Sequence, residues 1–215
     1  MGPSDGIVAV LAGGRGQRLG GSKPLAELGG RPLICHALAA ARDGALPAVV
    51  VAKPDVALPR LECEVVVEPE LPVHPLCGLV AALQFAQLRG HGAVLAVACD
   101  MPFLTGPLLS WLASCGHERR AVVARVEGRL QPLLGRYLAS QRAALEGALE
   151  DGCALGEAVK RLDPVIVTEM KLARFGDPRR LCFNVNDAHD LRVARERARA
   201  IERDARLAPG RAAPS

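Results

Sequence analysis

An apolar run, Ile7-Val-Ala-Val-Leu-Ala12, leads straight into Gly13-Gly-Arg-Gly-Gln-Arg-Leu-Gly-Gly-Ser-Lys23. This junction constrains the chain more than any other stretch. The run reads as a buried parallel strand ended by a glycine turn. Gly13, Gly14, Gly16, Gly20 and Gly21 follow within nine residues, so backbone N–H groups can approach a ligand without interference from Cβ atoms. Arg18 and Lys23 stand among them and suit a polyphosphate. Two familiar phosphate loops do not match. A dinucleotide fingerprint fails because Gly14-Arg-Gly16-Gln-Arg is followed by Leu19. A Walker loop fails because Gly21 is followed by Ser22. The glycines serve a different phosphate geometry.

With 215 residues the chain can bury one sizeable core. Half the residues are hydrophobic, yet only four Phe, one Tyr and one Trp are aromatic. A core of Ala, Val and Leu suits helix-on-sheet layers better than a platform for stacking bases. The net charge of +4 fits an anionic small molecule and does not demand nucleic acid. Seven cysteines are scattered without a C-x-x-C pair, so neither a disulfide framework nor a zinc site is expected and a reducing cytoplasm fits. No signal peptide and no apolar run of membrane-spanning length is visible.

After the loop, Leu25–Leu28 is a short apolar piece ending at the Gly29-Gly30 turn. Pro32 then opens a helix through Arg42, with His36 as a packing residue inside it. Ala48–Ala52 and Cys63–Val67 read as the second and third strands, giving a βαβ pattern with parallel strands. The segment Glu68–Gly78, with three prolines, reads as a stiff loop at the carboxyl end of the third strand, and Leu79–Leu88 as the next helix. Ala93–Cys99 should be a central strand. It ends at Asp100, a carboxylate placed to hold Mg²⁺ against phosphates, with Thr105 as the better cap for the helix beyond.

Further on, Ala121–Val126 and Leu130–Leu134 flank a turn and read as a hairpin or paired edge. Ser140–Leu162 is helical with a break near Asp151, Pro164–Thr168 is a strand, and Leu181–Asn186 a strand segment. On that last strand Asn184 and Asn186 would face one side, either to bind a polar ligand or to satisfy backbone groups in a turn. From Asp187 to Arg206 the chain is a helix whose arginines are interleaved with acids. That is a solvated face rather than a nucleic-acid surface. One domain over residues 1–207 and a disordered tail at 208–215 are expected.

Four segments in order, Leu11-Ala-Gly-Gly14 with Arg18-Leu-Gly20 and Lys23, Pro75-Leu-Cys-Gly78, Asp100-Met-Pro102, and Phe183-Asn-Val-Asn-Asp-Ala-His-Asp-Leu191, resemble the signature of molybdenum cofactor guanylyltransferases. The resemblance covers about residues 6 to 195. It implies a three-layer Rossmann-like α/β nucleotidyltransferase fold with a mostly parallel central sheet. It also implies transfer of GMP from GTP to the phosphate of molybdopterin, with release of pyrophosphate.

On that resemblance Leu11, Ala12, Gly13, Gly14, Lys23, Glu68, Pro75, Leu76, Gly78 and Asp100 would bind the nucleotide. Arg18, Lys23 and Asp100 would be catalytic, Asp100 would hold Mg²⁺, and Asn184 and Asn186 would line the acceptor side. The partners implied are GTP and molybdopterin, with no nucleic acid and no membrane. Contact with a molybdoenzyme or chaperone stays open, and a monomer or weak homo-oligomer in the cytoplasm is expected.

Four positions depart from the family pattern. Ser22 replaces an Asp, Glu68 replaces an Asp that commonly contacts nucleotide, Ala52 replaces a polar residue with Lys53 beside it as a substitute, and His74 replaces a glycine. The alternatives are a relative using CTP or another acceptor, such as a sugar phosphate or phospholactate, and a non-catalytic nucleotide-binding protein.

Overall fold

Every residue of β1 (Gly6–Leu11) beyond Gly6 is buried, and its alternation splits the side chains between two cores. Val8 and Val10 join one apolar cluster, while Ile7, Ala9 and Leu11 join the other. A strand apolar on both faces must be covered on both, which is the physical origin of the three-layer arrangement. The structure is a computed structural model that describes residues 6–14 and 23–207, with side chains described to residue 203.

In chain order, β1 is followed by a small hairpin of β2 (Glu27–Leu28) and β3 (Arg31–Pro32). Next come α1 (Leu33–Asp43), β4 (Ala48–Ala52), β5 (Val65–Val67), α2 (Pro75–Leu88), β6 (Ala93–Ala98) and α3 (Gly106–Ser114). They are followed by β7 (Ala121–Val126), β8 (Arg129–Leu138), α4 (Arg142–Glu150), α5 (Leu155–Lys160) and β9 (Val165–Val167). The chain ends with α6 (Glu169–Leu172), α7 (Pro178–Leu181) and α8 (Ala188–Leu207). The seven-stranded sheet has the order β5-β4-β1-β6-β8-β7-β9. Only β8 runs against the others, pairing antiparallel with both β6 and β7. The mostly parallel three-layer α/β expectation holds. Helices α1 and α3 cover one face, and α2, α4 and α5 the other.

Several boundaries differ from the sequence reading. Helix α2 begins at Pro75, four residues before the expected Leu79, because Pro75 takes the first helical position and His74 Nδ1 caps the helix by accepting from Leu76 N at 3.2 Å. The expected strand over Leu181–Asn186 is absent. Asp177 accepts from Arg179 N at 3.0 Å and starts α7 instead, and the chain leaves α7 without pairing to a strand. The hairpin partner β8 runs to Leu138 and lies inside the sheet, since β9 forms the edge. Thr105 has an extended cap backbone, but its hydroxyl makes no cap hydrogen bond and is buried without a partner among the described residues. His36 behaves as the expected packing residue: Nε2 donates to Leu28 O at 3.1 Å, and burial lowers its pKa. The expected tail at 208–215 lies outside the described residues. No helix among the described residues is long and apolar enough to cross a membrane.

The end of α1 meets the start of α3 through two glycines. A Cβ on Gly106 would lie 2.6 Å from the Asp43 carbonyl carbon and the Gly44 nitrogen, which are backbone atoms that cannot swing aside. Gly147, inside α4, has open space around it. We therefore expect Gly106→Ala to lower stability by about 1–3 kcal/mol through overpacking. Gly147→Ala should raise it by up to about 1 kcal/mol through helix propensity. Urea denaturation of the two variants checks both signs.

Candidate active site

Strands β1 and β6 pair in parallel with Leu11 opposite Ala98, so the turn at Gly13-Gly14 and the exit at Cys99-Asp100 leave the sheet side by side. Cys99 N donates to Leu11 O at 3.1 Å, and Glu68 N donates to Ala52 O at 2.9 Å where the chain leaves β5 beside β4. Three strand exits thus open at one carboxyl edge, where open α/β sheets hold ligands. They enclose a cavity of about 660 Å³. Leu11, Gly13, Gly14, Lys23, Glu68, Pro75, Gly78, Asp100 and Asn186 all line it, although they come from segments up to 175 residues apart in sequence.

One wall is built around a buried carboxylate. Glu68 is 4% exposed, and two glycines make room for it. A Cβ on Gly13 would fall 2.1 Å from Glu68 Oε1, and one on Gly78 would fall 2.8 Å from Oε2. Gly78 lies in the first turn of α2, so the carboxylate sits at the positive end of that helix. Lys53 Nζ is 3.6 Å from Oε1 and donates to Pro69 O at 2.8 Å and Glu70 O at 3.1 Å. Burial pushes the Glu68 carboxyl above its ordinary pKa, and the Lys53 charge pulls it back part of the way.

The opposite wall holds Asp100, which is 8% exposed. Its Oδ2 is ion-paired with Lys23 Nζ, and Lys23 also donates to Asn186 Oδ1 at 2.9 Å. The segment carrying Asn186 is tied to the same strand exit by Val185 N donating to Asp100 O at 3.0 Å. Asp100 Oδ1 is buried with no hydrogen-bond partner among the described residues. A buried lone carboxylate oxygen is costly unless something cationic or protic meets it. Cys99 is no competing nucleophile, because burial, with Asp100 adding to it, pushes its thiol up to about 12.

The expected site residues separate by role. The side chains of Ala12 and Leu76 are fully buried in the two cores and do not line the cavity, so any contact they make with a ligand comes from backbone. Pro75–Gly78 is the first turn of a helix rather than a loop. Asn184 and Asn186 do not share a face: Asn184 Nδ2 donates to Cys182 O at 3.1 Å and supports a turn, while only Asn186 reaches the cavity. Arg18 and Ser22 lie outside the described residues. Val73 and Leu133 also line the cavity. Neither carries a chemical signal in sequence; their apolar side chains acquire a role only through the path of the chain.

A match to the MobA-like NTP transferase domain spans residues 8–165. The chain is 34% identical over 193 residues to the probable molybdenum cofactor guanylyltransferase of Thermococcus gammatolerans, covering 86% of this chain and 96% of that protein. It is 33% identical over 187 residues to the molybdenum cofactor guanylyltransferase of Pseudomonas putida, covering 81% and 94%. Among solved structures, molybdopterin-guanine dinucleotide biosynthesis protein A from Archaeoglobus fulgidus matches with a TM-score of 0.76 at 27% identity, covering 90% of this chain and 99% of that one. A 2-C-methyl-D-erythritol 4-phosphate cytidylyltransferase from Thermus thermophilus matches with a TM-score of 0.65 at 21% identity, covering 90% and 98%, which is a likeness of fold.

The glycine-lined slot has a measurable mechanical consequence. Gly13→Ala must displace a buried carboxylate and should cost about 1–3 kcal/mol. Gly14→Ala, with nothing within 4 Å of its Cβ among the described residues, should stay within about 0.5 kcal/mol of the parent. In a Glu68→Ala background, whatever that change costs by itself, Gly13→Ala should add little further loss, a coupling that a denaturation double-mutant cycle reads directly.

Proposed function

The chain belongs to the MobA-like NTP transferase family, and we propose that it transfers GMP from GTP to the phosphate of molybdenum-molybdopterin, releasing pyrophosphate and forming the guanine dinucleotide form of the cofactor. The observation that carries this reading is the convergence of Lys23, Asp100 and Asn186 on one cavity, with the Gly13-Gly14 turn and the buried Glu68 carboxylate across from them.

The base side supports guanine. Guanine presents N1–H and N2–H₂ as adjacent donors, which one carboxylate accepts together. Glu68 offers that carboxylate in a slot made by Gly13 and Gly78. Cytosine presents a single donor, N4–H₂, beside the acceptors N3 and O2, so a carboxylate can accept from one group only and is repelled by the neighbouring N3. The phosphate side supports nucleotidyl transfer. An acceptor phosphate oxygen attacks the α-phosphorus in line, the new P–O bond forms, and the bond to the β-phosphate oxygen breaks with its electron pair leaving on pyrophosphate. Such a displacement mainly needs positioning and charge stabilisation.

Lys23 stands where it can pass from Asp100 to the triphosphate and take up charge that grows on the leaving pyrophosphate. The backbone at Gly13 and Gly14 gives the phosphates close approach. Asn186 steadies Lys23 and faces the acceptor side, and Arg18 joins the phosphate cations on the family resemblance alone. The family's metal requirement is met by Mg²⁺ on Asp100 in this proposal. The lone buried Oδ1 fits it, since Mg²⁺ takes one or two carboxylates and completes its shell with phosphate oxygens and water. No group of three or more His, Cys, Asp or Glu side chains among the described residues forms a fuller cage. When bound, Mg²⁺ supplies charge neutralisation on the triphosphate.

Mass spectrometry of the product made from GTP, molybdopterin and Mg²⁺ tests the reading, with molybdopterin guanine dinucleotide expected. Faster pyrophosphate release with CTP than with GTP would sink it. Asp100→Asn should lower kcat about 10²-fold or more while the protein stays folded. Removal of the divalent cation with a chelator should have the same effect on the parent. Parent turnover that is unchanged in the variant and in chelator would point to a different phosphate chemistry.

A further inference from the structure

The buried Lys53 is not explained by phosphate chemistry. It is 5% exposed, and its ammonium group has three partners. It donates to Pro69 O at 2.8 Å and Glu70 O at 3.1 Å, and it is ion-paired with Glu68 Oε1 at 3.6 Å. The two carbonyls belong to the residues that immediately follow Glu68. One cation therefore holds both the carboxylate and the backbone that carries it. The next five residues, Pro69 to Val73, are all exposed, so burial does little to hold this loop in place. We infer that Lys53 is a specificity-determining positioning residue, which acts through Glu68 to keep the base slot charged and in register for a purine edge with adjacent N–H donors. This rests on the guanine reading of Glu68 above.

The charge balance around the carboxylate explains why a cation is needed there. The elements packed against it are the Gly13 turn, the first turn of α2 at Gly78 and the end of β4. Among the described residues only the exit of β4 brings a charge into contact, and that charge is Lys53. Lys23 and Asp100 face the same cavity from the opposite wall, and His74 lies at its rim with Nδ1 occupied by the Leu76 N–H. Burial raises the Glu68 pKa and Lys53 is the cause that opposes it. Without Lys53 the carboxyl holds its proton to higher pH. A neutral carboxyl group keeps one good acceptor oxygen and turns the other into a donor, so it no longer accepts from both guanine N–H groups.

The test compares equilibrium binding of GTP with that of inosine triphosphate, which lacks the N2 amino group, by calorimetry. Binding is measured without acceptor, so the outcome does not depend on turnover. The parent should prefer GTP by about tenfold or more, the loss of a hydrogen bond to a charged group. Lys53→Met should bring the ratio near one. Its GTP Kd should also recover as pH rises from 6 to 8.5, because Glu68 regains its charge; the parent, which keeps the same His74, should show a flatter profile. Lys53→Arg should restore part of the preference.

Glu68→Gln and the double variant Lys53→Met/Glu68→Gln complete a cycle in which Lys53→Met adds nothing once Glu68 is neutral. The double variant carries no buried unpaired charge, so it guards against Lys53→Met failing to fold: a double variant that discriminates like Glu68→Gln supports the inference. A parent ratio near one overturns the guanine reading itself. A parent ratio well above one that Lys53→Met leaves intact, or effects of the two substitutions that simply add, overturns only the role of Lys53.

Discussion

The parallel pairing of β1 with β6, in register from Gly6 opposite Ala93 to Leu11 opposite Ala98, is the constraint on which the rest of the site depends. It makes two strands end at the same level. The glycine turn after β1 and the carboxylate after β6 then meet although 86 positions separate Gly14 from Asp100. Because all six residues of β6 are buried, the register cannot slip without turning apolar side chains out of one core and into the other. The precision of the chemistry is inherited from hydrophobic burial on both faces of the sheet.

Electrostatics then divides the cavity into two halves of similar construction and different purpose. Each half pairs a buried carboxylate with a lysine: Glu68 with Lys53, and Asp100 with Lys23. Buried ion pairs are poor devices for stability, because desolvation offsets most of the attraction. Their value here is in what is left over. Lys53 is tied to two backbone carbonyls as well as to its carboxylate. Among the described residues Asp100 keeps one oxygen without a partner, and the Lys23 ammonium meets side chains that a polyanion competes with. A rigid pair suits recognition of a base, and a pair with spare capacity suits handling of phosphate. The further cap at His74 works on the same wall as the rigid pair, closing the start of α2 beside Gly78.

Much of this arrangement was legible in the residues themselves. The strand-to-glycine junction, the βαβ repeat and the strand end at Asp100 follow from apolar runs and turn residues with local meaning. The errors came where a weak local signal met a stronger tertiary one. Leu181–Asn186 has strand-like residues, but the Asp177-Pro178 start signal launches a helical turn that takes Leu181 into the core. The i, i+2 pairing of Asn184 and Asn186 therefore never applies. His74 is an unusual cap, so the helix that begins at Pro75 was hidden inside a proline-rich segment. Leu133 gains a place at the cavity only because β8 inserts between β6 and β7.

By itself, the sequence determined the class of fold and the chemical character of the site, because burial on two faces, glycine turns and strand-end carboxylates are short-range patterns that any α/β chain must satisfy. The resemblance to the family rests instead on four specific motifs in order, from Leu11-Ala-Gly-Gly14 to Phe183-Asn-Val-Asn186. Only the tertiary structure decided that Gly13 and Gly78 leave room for Glu68, that Lys53 is turned onto Glu68 and the two carbonyls that follow it, and that Asn186 alone of the two asparagines reaches the cavity. Those facts depend on which distant atoms compete for the same few ångströms. That competition is settled by packing across the sheet and is not written in the local order of the residues.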